Sequence, residues 1–461
     1  MKVSERNVLD RRSFIKGMLA AGATVTVAAC TPVAPAPLVP VAPVSPPTVT
    51  GPAWIHPKSL VRAAPGYGGA MLTWKYGDSV KWLPPAKYLA DAASDALAKV
   101  SKDQLLLVFT RMCTSRVFET TMKDCSLGGY PLGATGTAQK LAPGVYGGGH
   151  MRVGQEAEAT AIGTLCTRAD DYFTATHAAH HDMAGRGADA KRMTAEFFMR
   201  KTGANKGYGG TMHLCFADLG FLGANPVVGA NPPLAAGAAW SAKVRKSGQI
   251  AVTYIGDGAQ NSRHWFNTVR SSVNYKLPVL FVNENNFTGM GNPIASLSPS
   301  PYLADYGVGL GLPCVVADGT SVADVYYKGK ELVDRARALE GPGYLETMTW
   351  RWYDHSGFAG AKAGVDAAWG LPYRTDDEVR AWLSRDPIVL YADWLALKGF
   401  ATKAETDAIM ANVKKLQVEA IEFALASPLT TPEDGCANVW TLTERVPATQ
   451  FFEHVVIVPK A

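Results

Sequence analysis

Two short apolar runs on either side of a helical segment form the clearest pattern in the chain. Residues 250–255 are apolar and rich in β-branched side chains, which predicts a buried strand. A helical pattern follows over about residues 262–275, and residues 279–283 predict a second buried strand. Strand, helix and strand in this order predict a βαβ unit within an α/β fold.

Polar residues follow each of these two strands. Gly-Asp-Gly occupies positions 256–258 and Glu-Asn-Asn occupies positions 284–286. Carboxyl ends of neighbouring parallel strands meet at one edge of a sheet, where open α/β sheets bind ligands. A Gly-Asp-Gly sequence alone is most often only a turn. Its combination with the later Asn pair, in a strand–helix–strand frame, favours a binding site over a chance turn.

The residue types at this edge suit a diphosphate held with Mg²⁺. Asp257 offers a carboxylate, Asn286 an amide oxygen and Thr288 a backbone carbonyl, all of them hard oxygen ligands. Gly256 and Gly258 remove side chains where phosphates must approach the backbone, and the following helix turns its N-terminus towards the negative charge.

The beginning of the chain is typical of an export signal rather than of a folded domain. Arg11 and Arg12 begin the sequence Arg-Arg-Ser-Phe-Ile-Lys, and the apolar stretch over residues 17–29 is too short to span a bilayer. We expect residues 1–30 to be a twin-arginine signal and the protein to be periplasmic. Residues 27–30 resemble a lipobox, so Cys30 is either lipidated, which would anchor the protein to the membrane, or follows an ordinary cleavage site.

Residues 31–58 are rich in proline and predict an extended spacer. Residues 59–461 are expected to form one doubly wound α/β domain with a mostly parallel sheet and C-terminal helices, such as one over residues 403–425.

Composition agrees with a large globular domain and excludes some functions. The 461 residues are 47% apolar and 18% charged, which excludes a disordered protein. The 45 basic and 40 acidic residues are scattered, so we expect no nucleic-acid binding. Besides Cys30 there are six cysteines without metal-type spacing, and we expect most of them to be buried free thiols.

The motif over residues 256–286 matches that of thiamine diphosphate enzymes. The intervening and flanking sequence resembles the alpha chains of 2-oxo acid dehydrogenase decarboxylating components, a family that includes pyruvate, branched-chain and acetoin dehydrogenases. The resemblance extends from about residue 105 to residue 440 and includes four further segments: residues 154–157, 206–213, 225–237 and 386–388. Residues 174–180 and 189–214 look most like the acetoin dehydrogenase alpha chain.

This resemblance implies roles for single residues. Asp257, Asn286 and Thr288 would bind Mg²⁺. The residues expected to contact the cofactor are Gly256, Asp257, Gly258, Ala259, Asn261, Asn286, Val228, Arg351 and His355. For Asn261, capping of the following helix is an equally good interpretation.

Two histidines are expected to be catalytic. His355 matches the histidine of the family's active-site loop, although the loop at residues 357–371 is longer than in most relatives. His177 matches a histidine near the reacting end of the cofactor and can act as acid or base. His177, His180 and His181 together suggest a metal site, but no acidic or cysteine partner is spaced with them, which disfavours zinc.

The resemblance also implies a partner and a substrate. A separate beta chain supplies the glutamate that activates the cofactor, so we expect an α₂β₂ assembly acting on a small 2-oxo acid or a ketol. Two departures favour an alternative: Ala178 replaces the family's phosphate-binding arginine, and Pro226 replaces a glycine. The alternative is a membrane-tethered, non-catalytic protein that binds thiamine diphosphate.

Overall fold

The structure is a computed structural model, which describes residues 92–126, 130–131, 138–139, 149–300, 302–355, 371 and 373–437. The predicted signal at 1–30, with Arg11, Arg12 and Cys30, lies outside the described residues. The spacer at 31–58 and positions 357–370 of the long loop also lie outside them.

Six parallel strands form the central sheet. The strands of the described chain are β1 (Tyr130–Pro131), β2 (Ala138–Gln139), β3 (Tyr172–Thr176), β4 (Phe221–Asn225), β5 (Ala251–Gly256), β6 (Val279–Asn285), β7 (Thr288–Gly289), β8 (Asn292–Pro293), β9 (Cys314–Asp318) and β10 (Gly343–Met348). The sheet has the order β4-β3-β5-β6-β10-β9, and each neighbouring pair is parallel. Short antiparallel pairs join β1 to β2 and β7 to β8.

Helices cover both faces of this sheet. They are α1 (Ala92–Leu97), α2 (Lys102–Ser126), α3 (Glu156–Thr160), α4 (His180–Arg186), α5 (Ala190–Phe197), α6 (Asn231–Arg245), α7 (Arg263–Asn274), α8 (Ile294–Leu297), α9 (Ala304–Gly309), α10 (Val322–Arg337), α11 (Asp376–Leu383), α12 (Pro387–Leu397), α13 (Lys403–Ala426) and α14 (Pro432–Ala437). The expectation of a doubly wound α/β fold with C-terminal helices is confirmed.

Alternating side chains of the central strands build two separate cores. On β6, Leu280 and Val282 join the core formed with α2, α3 and α10, whereas Val279 and Phe281 join the core formed with α6 and α7. Because successive strand residues point to opposite faces, a strand covered on both sides is apolar at every position. This explains why these strands appear in the sequence as continuous apolar runs.

The βαβ unit formed by β5, α7 and β6 agrees with the sequence pattern within two residues. Strand β6 continues through Asn285, two residues beyond the predicted end, because it pairs with β10 from Leu280 through Asn285. Helix α7 is capped by Ser262, whose hydroxyl accepts a hydrogen bond from the backbone N–H of His264 at 3.1 Å. The cap is therefore Ser262 rather than Asn261, which ends a short 3₁₀ turn.

The cysteines of the described chain are free thiols. Cys113, Cys125, Cys166 and Cys314 are buried and Cys215 is half-buried. Burial raises the pKa of Cys113 and of Cys125 to about 12. The expectation of buried free thiols is thus confirmed for four of the cysteines, while Cys30 and the side chain of Cys436 lie outside the described part.

No helix among the described residues combines the length and apolar character needed to cross a membrane.

Candidate functional site

A cavity of about 250 Å³ opens at the carboxyl ends of the central strands. Strand β3 pairs with β4 on one side and with β5 on the other, so the segments that leave β3 and β5 diverge and create a crevice between them. The cavity lies in that crevice. Its lining consists of His150, Met151, Arg152, Thr176, His177, Ala178, Asn225, Val227, Val228, Gly229, Asn231, Gly256, Asp257, Gly258, Ala259, Asn286, Thr288, Gly289, Met290, Leu297, Arg351 and His355.

Asp257 follows β5 and lies at the inner end of the cavity, 3% exposed. One carboxylate oxygen, Oδ1, accepts a hydrogen bond from the backbone N–H of Gly258 at 2.7 Å. The other, Oδ2, is buried without a hydrogen-bond partner among the described residues. Burial raises the pKa of Asp257, opposed by the Gly258 N–H and by the positive charge of Arg351. A cation beside this carboxylate would favour its ionised form and oppose the effect of burial.

Asn286 follows β6 and brings a second oxygen to the same end of the cavity. Its Nδ2 donates to Gln155 Oε1 at 3.4 Å, which leaves Oδ1 directed elsewhere. That oxygen is buried and has no hydrogen-bond partner in the part of the chain that the structure describes. A buried amide oxygen without a donor costs free energy unless a ligand satisfies it.

The backbone around these two oxygens is open to a ligand. A Cβ atom added to Gly256 would meet nothing within 4 Å, whereas one added to Gly258 would lie 3.5 Å from the Cα of Gly289. The loops after β5 and β6 are therefore in contact, and Thr288 lies beside them in the cavity wall. Carboxylate, amide and carbonyl oxygens form the donor set that Mg²⁺ prefers, so the residues present fit a metal–diphosphate group.

Arg351 approaches this end from the segment that follows β10. Its Nε donates to the Tyr353 carbonyl oxygen at 3.1 Å, while its Nη2 is buried without a partner among the described residues. The segment is fixed by Arg374, which donates to the carbonyl oxygens of Arg351, Trp352 and Tyr353 at 2.5, 2.7 and 2.8 Å. Arg351 thus presents a positive charge at a fixed place.

Three histidines meet in the cavity. The ring centroid of His150 lies 4.3 Å from that of His177 and 4.9 Å from that of His355, and the last two are 5.2 Å apart. Burial, with His150 and Arg152 nearby, lowers the pKa of His177 to about 2. Burial and the charge of Arg351 lower the pKa of His355 to about 3. Both imidazoles are therefore neutral at physiological pH, and each offers a donor and an acceptor.

Behind the cavity wall lies a buried ionic cluster. Arg152 forms an ion pair with Glu284, and Glu284 Oε1 also lies 2.5 Å from Nε2 of His181. Burial raises the pKa of Glu158 to about 7 and that of Asp182 well above its usual range. The neighbouring acids raise the pKa of His181 well above its usual value despite burial, so it is held as a cation.

His177, His180 and His181 lie close together in the sequence but do not form one group in the structure. His177 lines the cavity, whereas His180 and His181 belong to the buried first turn of α4. His181 does have acidic partners, Glu284 and Glu158, but they come from distant segments of the chain. Spacing in the sequence could not indicate them.

The outer rim of the cavity differs in character from the inner end. Val227, Val228 and Met290 line it with exposed apolar side chains, and Val228 is 64% exposed. The loop carrying the two valines is held against the start of α7 by Gly229, whose φ is +77°. A Cβ atom there would lie 2.3 Å from that of Ser262, so only glycine permits this approach.

All the residues predicted for the site line this cavity except Asn261. Asn261 is exposed, lies outside the lining, and donates through Nδ2 to the Leu297 carbonyl oxygen at 3.1 Å. Of the two departures, Ala178 lines the cavity and Pro226 does not. Pro226 occupies a turn that Asn225 closes, since its Oδ1 accepts from the Val227 N–H at 2.9 Å.

Sequence reasoning missed five polar residues of the lining: His150, Arg152, Thr176, Asn225 and Asn231. The first two directly precede the predicted segment 154–157, which was the available signal. Asn225 and Asn231 lie at the two ends of the loop that carries Val228, and each has a local role. Asn231 Nδ2, for example, donates to the Tyr254 carbonyl oxygen at 3.1 Å.

The sequence of this chain is similar to those of known proteins. The sequence profile of the family described as "Dehydrogenase E1 component" matches residues 138–433. The alpha subunit of acetoin:2,6-dichlorophenolindophenol oxidoreductase from Cupriavidus necator is 32% identical over 354 residues, which cover 76% of this chain and 98% of that protein. Its Bacillus subtilis counterpart is 31% identical, covering 75% of this chain and 96% of that protein.

A mitochondrial relative is also similar. The alpha subunit of the pyruvate dehydrogenase E1 component from Dictyostelium discoideum is 32% identical over 366 residues, which cover 79% of this chain and 89% of that protein. The sheet order, the polar inner end of the cavity and these similarities agree with one another. This chain belongs to the dehydrogenase E1 component family, whose members are thiamine-diphosphate-dependent oxidoreductases, and within it to the alpha subunits of the 2-oxo acid and acetoin dehydrogenases.

Proposed function

We propose that this protein holds the Mg²⁺-diphosphate end of thiamine diphosphate in an enzyme that decarboxylates a small 2-oxo acid or cleaves an acetoin-like ketol. The observation that carries the proposal is the pair of buried oxygens, Asp257 Oδ2 and Asn286 Oδ1, without hydrogen-bond partners among the described residues. They belong to the two loops that follow β5 and β6 and line one cavity. A bound cation would satisfy both.

Each part of the inner end has a role in this proposal. Asp257, Asn286 and the carbonyl oxygen of Thr288 hold the metal, and the open backbone at Gly256 lets phosphate oxygens approach. Arg351 offers its unpartnered Nη2 to the diphosphate. When bound, thiamine diphosphate supplies an electron sink for cleavage of a bond next to a carbonyl group.

The histidines provide proton donors and acceptors in the same cavity. His177 and His355 are neutral in the free chain because burial disfavours imidazolium and Arg351 repels it. An anionic ligand between them and Arg351 would raise both pKa values towards neutrality, since opposite charge favours the cation. Each imidazole can then orient a substrate carbonyl or carboxylate and move a proton to or from its oxygen.

A partner subunit is part of the proposal. No residue of this chain is assigned as the glutamate that activates the cofactor, and the rim valines 227 and 228 are exposed at the mouth of the cavity. On α6, Leu234, Trp240 and Val244 are exposed as well. Apolar surface of this kind is typical of subunit interfaces. A beta chain that covers the mouth would complete the site in an α₂β₂ assembly.

A second candidate function is a non-catalytic, membrane-tethered protein that binds thiamine diphosphate. The specific observation in its favour is Ala178, which lines the cavity without offering a charge to a phosphate. A beta-chain gene next to this one, without a signal of its own, would favour the enzyme. An isolated gene would favour the binding protein.

Export is a further part of the proposal and depends on residues 1–30. The twin-arginine route carries folded proteins, so a beta chain without its own signal could travel with this one. Replacing Arg11 and Arg12 by lysine should leave both chains in the cytoplasm. Cys30→Ala should prevent lipidation without stopping translocation. Cell fractionation with immunoblotting measures both results, and a beta chain that stays in the cytoplasm while this chain is exported would contradict co-export.

The metal site is tested by Asp257→Asn, which keeps the size of the side chain and removes its charge. Titration calorimetry with Mg²⁺ and thiamine diphosphate should show binding to the parent and at least about a hundredfold weaker binding to the variant, because a hard anionic ligand is lost. Asp318→Asn is the matched control: Asp318 is a largely buried carboxylate at the end of β9, outside the cavity lining. Equal affinity of Asp257→Asn and parent would refute the assignment.

A further inference from the structure

Ala178 lines the cavity and offers no charge at the position where the resemblance to the family implies a phosphate-binding arginine. The structure places another arginine beside that position. Arg152 lines the same cavity, is 5% exposed, and comes from the segment before α3. Sequence reasoning assigned it no role.

One hydroxyl group joins Arg152 to residue 178. Arg152 Nη2 donates to Thr176 Oγ1 at 2.8 Å, and the same oxygen accepts from the backbone N–H of Ala178 at 3.3 Å. The guanidinium group therefore lies one shared hydrogen-bond acceptor away from the backbone of residue 178. Because the alanine side chain is a single methyl group, it cannot fill the space of a longer residue there.

The charge of Arg152 reaches the functional groups of the cavity. Together with burial and other nearby cationic groups, it lowers the pKa values of His177 and His355. At Asp257 it favours the ionised form against the effect of burial. These three residues follow β3, β10 and β5, so Arg152 occupies a central place in the cavity wall. Its positive charge would attract an anionic ligand in the cavity.

The partners of Arg152 do not use all of its donors. A guanidinium group offers five N–H donors, and its side-chain bonds with Glu284 and Thr176 account for two. Glu284 is also paired with His181, so it has a second cationic partner in the buried cluster. Arg152 can therefore keep its ion pair and still donate to a ligand.

We propose that Arg152 is a diphosphate-binding residue of this chain and takes the place of the arginine that is absent at position 178. The inference rests on the proposed function, since it names a further residue of the same site. With this role, Arg152 would let an alpha chain with Ala178 bind the anionic end of the cofactor, and it weakens the argument for a non-catalytic protein.

The test isolates Arg152 from its ion pair, because Arg152→Met alone would leave Glu284 without one of its partners. Glu284→Gln serves as the reference, and the double variant Arg152→Met with Glu284→Gln is compared with it. Titration calorimetry in Mg²⁺ should show about 10- to 100-fold weaker binding of thiamine diphosphate to the double variant. Binding of thiamine, which lacks the phosphates, should be unchanged between the two.

A rescue variant tests whether the loss of affinity comes from the missing guanidinium group in the cavity wall. Adding Ala178→Arg to the double variant should restore most of the affinity for thiamine diphosphate, because it returns a guanidinium group to the same part of the wall. Arg337→Met is the control for loss of an arginine paired with a buried carboxylate. Arg337 pairs with Asp171 at 2.7 Å, before the amino end of β3 and away from the cavity. The Arg337→Met variant should have a lower melting temperature than the parent, with an unchanged preference for thiamine diphosphate over thiamine.

The possible failures are distinct. If the parent chain binds thiamine diphosphate and the double variant binds it as tightly as Glu284→Gln does, Arg152 is only a structural partner of Glu284 and the inference is wrong. If the double variant loses affinity for thiamine and thiamine diphosphate equally, the inference is again wrong. If the parent binds no thiamine diphosphate with Mg²⁺ present, the proposed function itself fails, and the role of Arg152 fails with it.

Discussion

The inner end and the rim of the cavity are built from neighbouring segments, yet they differ in how complete they are. At the inner end, Asp257, Asn286 and Arg351 are buried and fixed by the fold of this chain. At the rim, the side chains of Val228 and Met290 are exposed. The difference supports the proposal that this chain holds a metal–diphosphate group by itself, whereas the reacting end is closed by a partner.

The largest effect should come from the histidines that lie between these two regions. His355→Ala should lower kcat about 100- to 10,000-fold in the complex with a beta chain, because a positioned proton donor or acceptor is lost. Affinity for thiamine diphosphate should change less than about tenfold, since several other contacts hold the phosphates. Steady-state kinetics and calorimetry measure the two quantities.

The exposed His264 of α7 provides the control, and His264→Ala should change neither quantity. The reverse pattern for His355→Ala, a large loss of affinity with little change in kcat, would make His355 part of the inner end.

A smaller effect is expected from a charge at the rim. Val228→Asp should weaken association with the beta chain about 30-fold or more, because an interface that buries a valine would have to bury a carboxylate. Mg²⁺ binding by the isolated chain should not change. Co-purification and sedimentation measure the assembly, with Val389→Asp as a control at an exposed valine of α12. A Val228→Asp chain that assembles normally would place the partner surface elsewhere.

The smallest effect concerns the dependence of stability on pH. The pKa of His177 is lowered to about 2 in the folded chain, so between pH 6.5 and pH 2 the unfolded state binds a proton that the folded state does not. The free energy of unfolding should therefore fall as the pH falls below about 6.5, by up to about 1.4 kcal/mol per pH unit for this group. Denaturant melts of the parent and of His177→Asn should show a shallower decrease in the variant.

The βαβ unit could be predicted from sequence because its signals are local. Apolar runs, the helical pattern and the polar ends of β5 and β6 all lie within residues 250–286, and the structure moves their boundaries by at most two residues. The sequence left capping as one of two interpretations of Asn261, and the cap of α7 is its neighbour Ser262, which is an equally good capping residue type. Only the geometry shows that the hydroxyl of Ser262 accepts the bond.

The remaining site residues depend on contacts between distant segments. Arg152 and Glu284 are separated by 132 positions in the chain and form an ion pair in the fold. From the sequence, Glu284 is only one of the polar residues that follow the predicted strand, yet it joins Arg152 to His181 in the buried cluster. Pairing of this kind has no local pattern, so neither the role of Arg152 nor the separation of His177 from His181 could be predicted.

The buried thiols of the fold give the chain a chemical property of its own. A pKa of about 12 at Cys113 and Cys125 leaves a thiolate fraction of about 10⁻⁵ at pH 7, and the thiolate is the form that attacks disulfides and alkylating reagents. Both side chains are also screened from solvent. Their covalent state should therefore be the same under reducing and oxidising conditions as long as the chain stays folded. The extent of alkylation of these two cysteines would then measure the fraction of molecules that have unfolded.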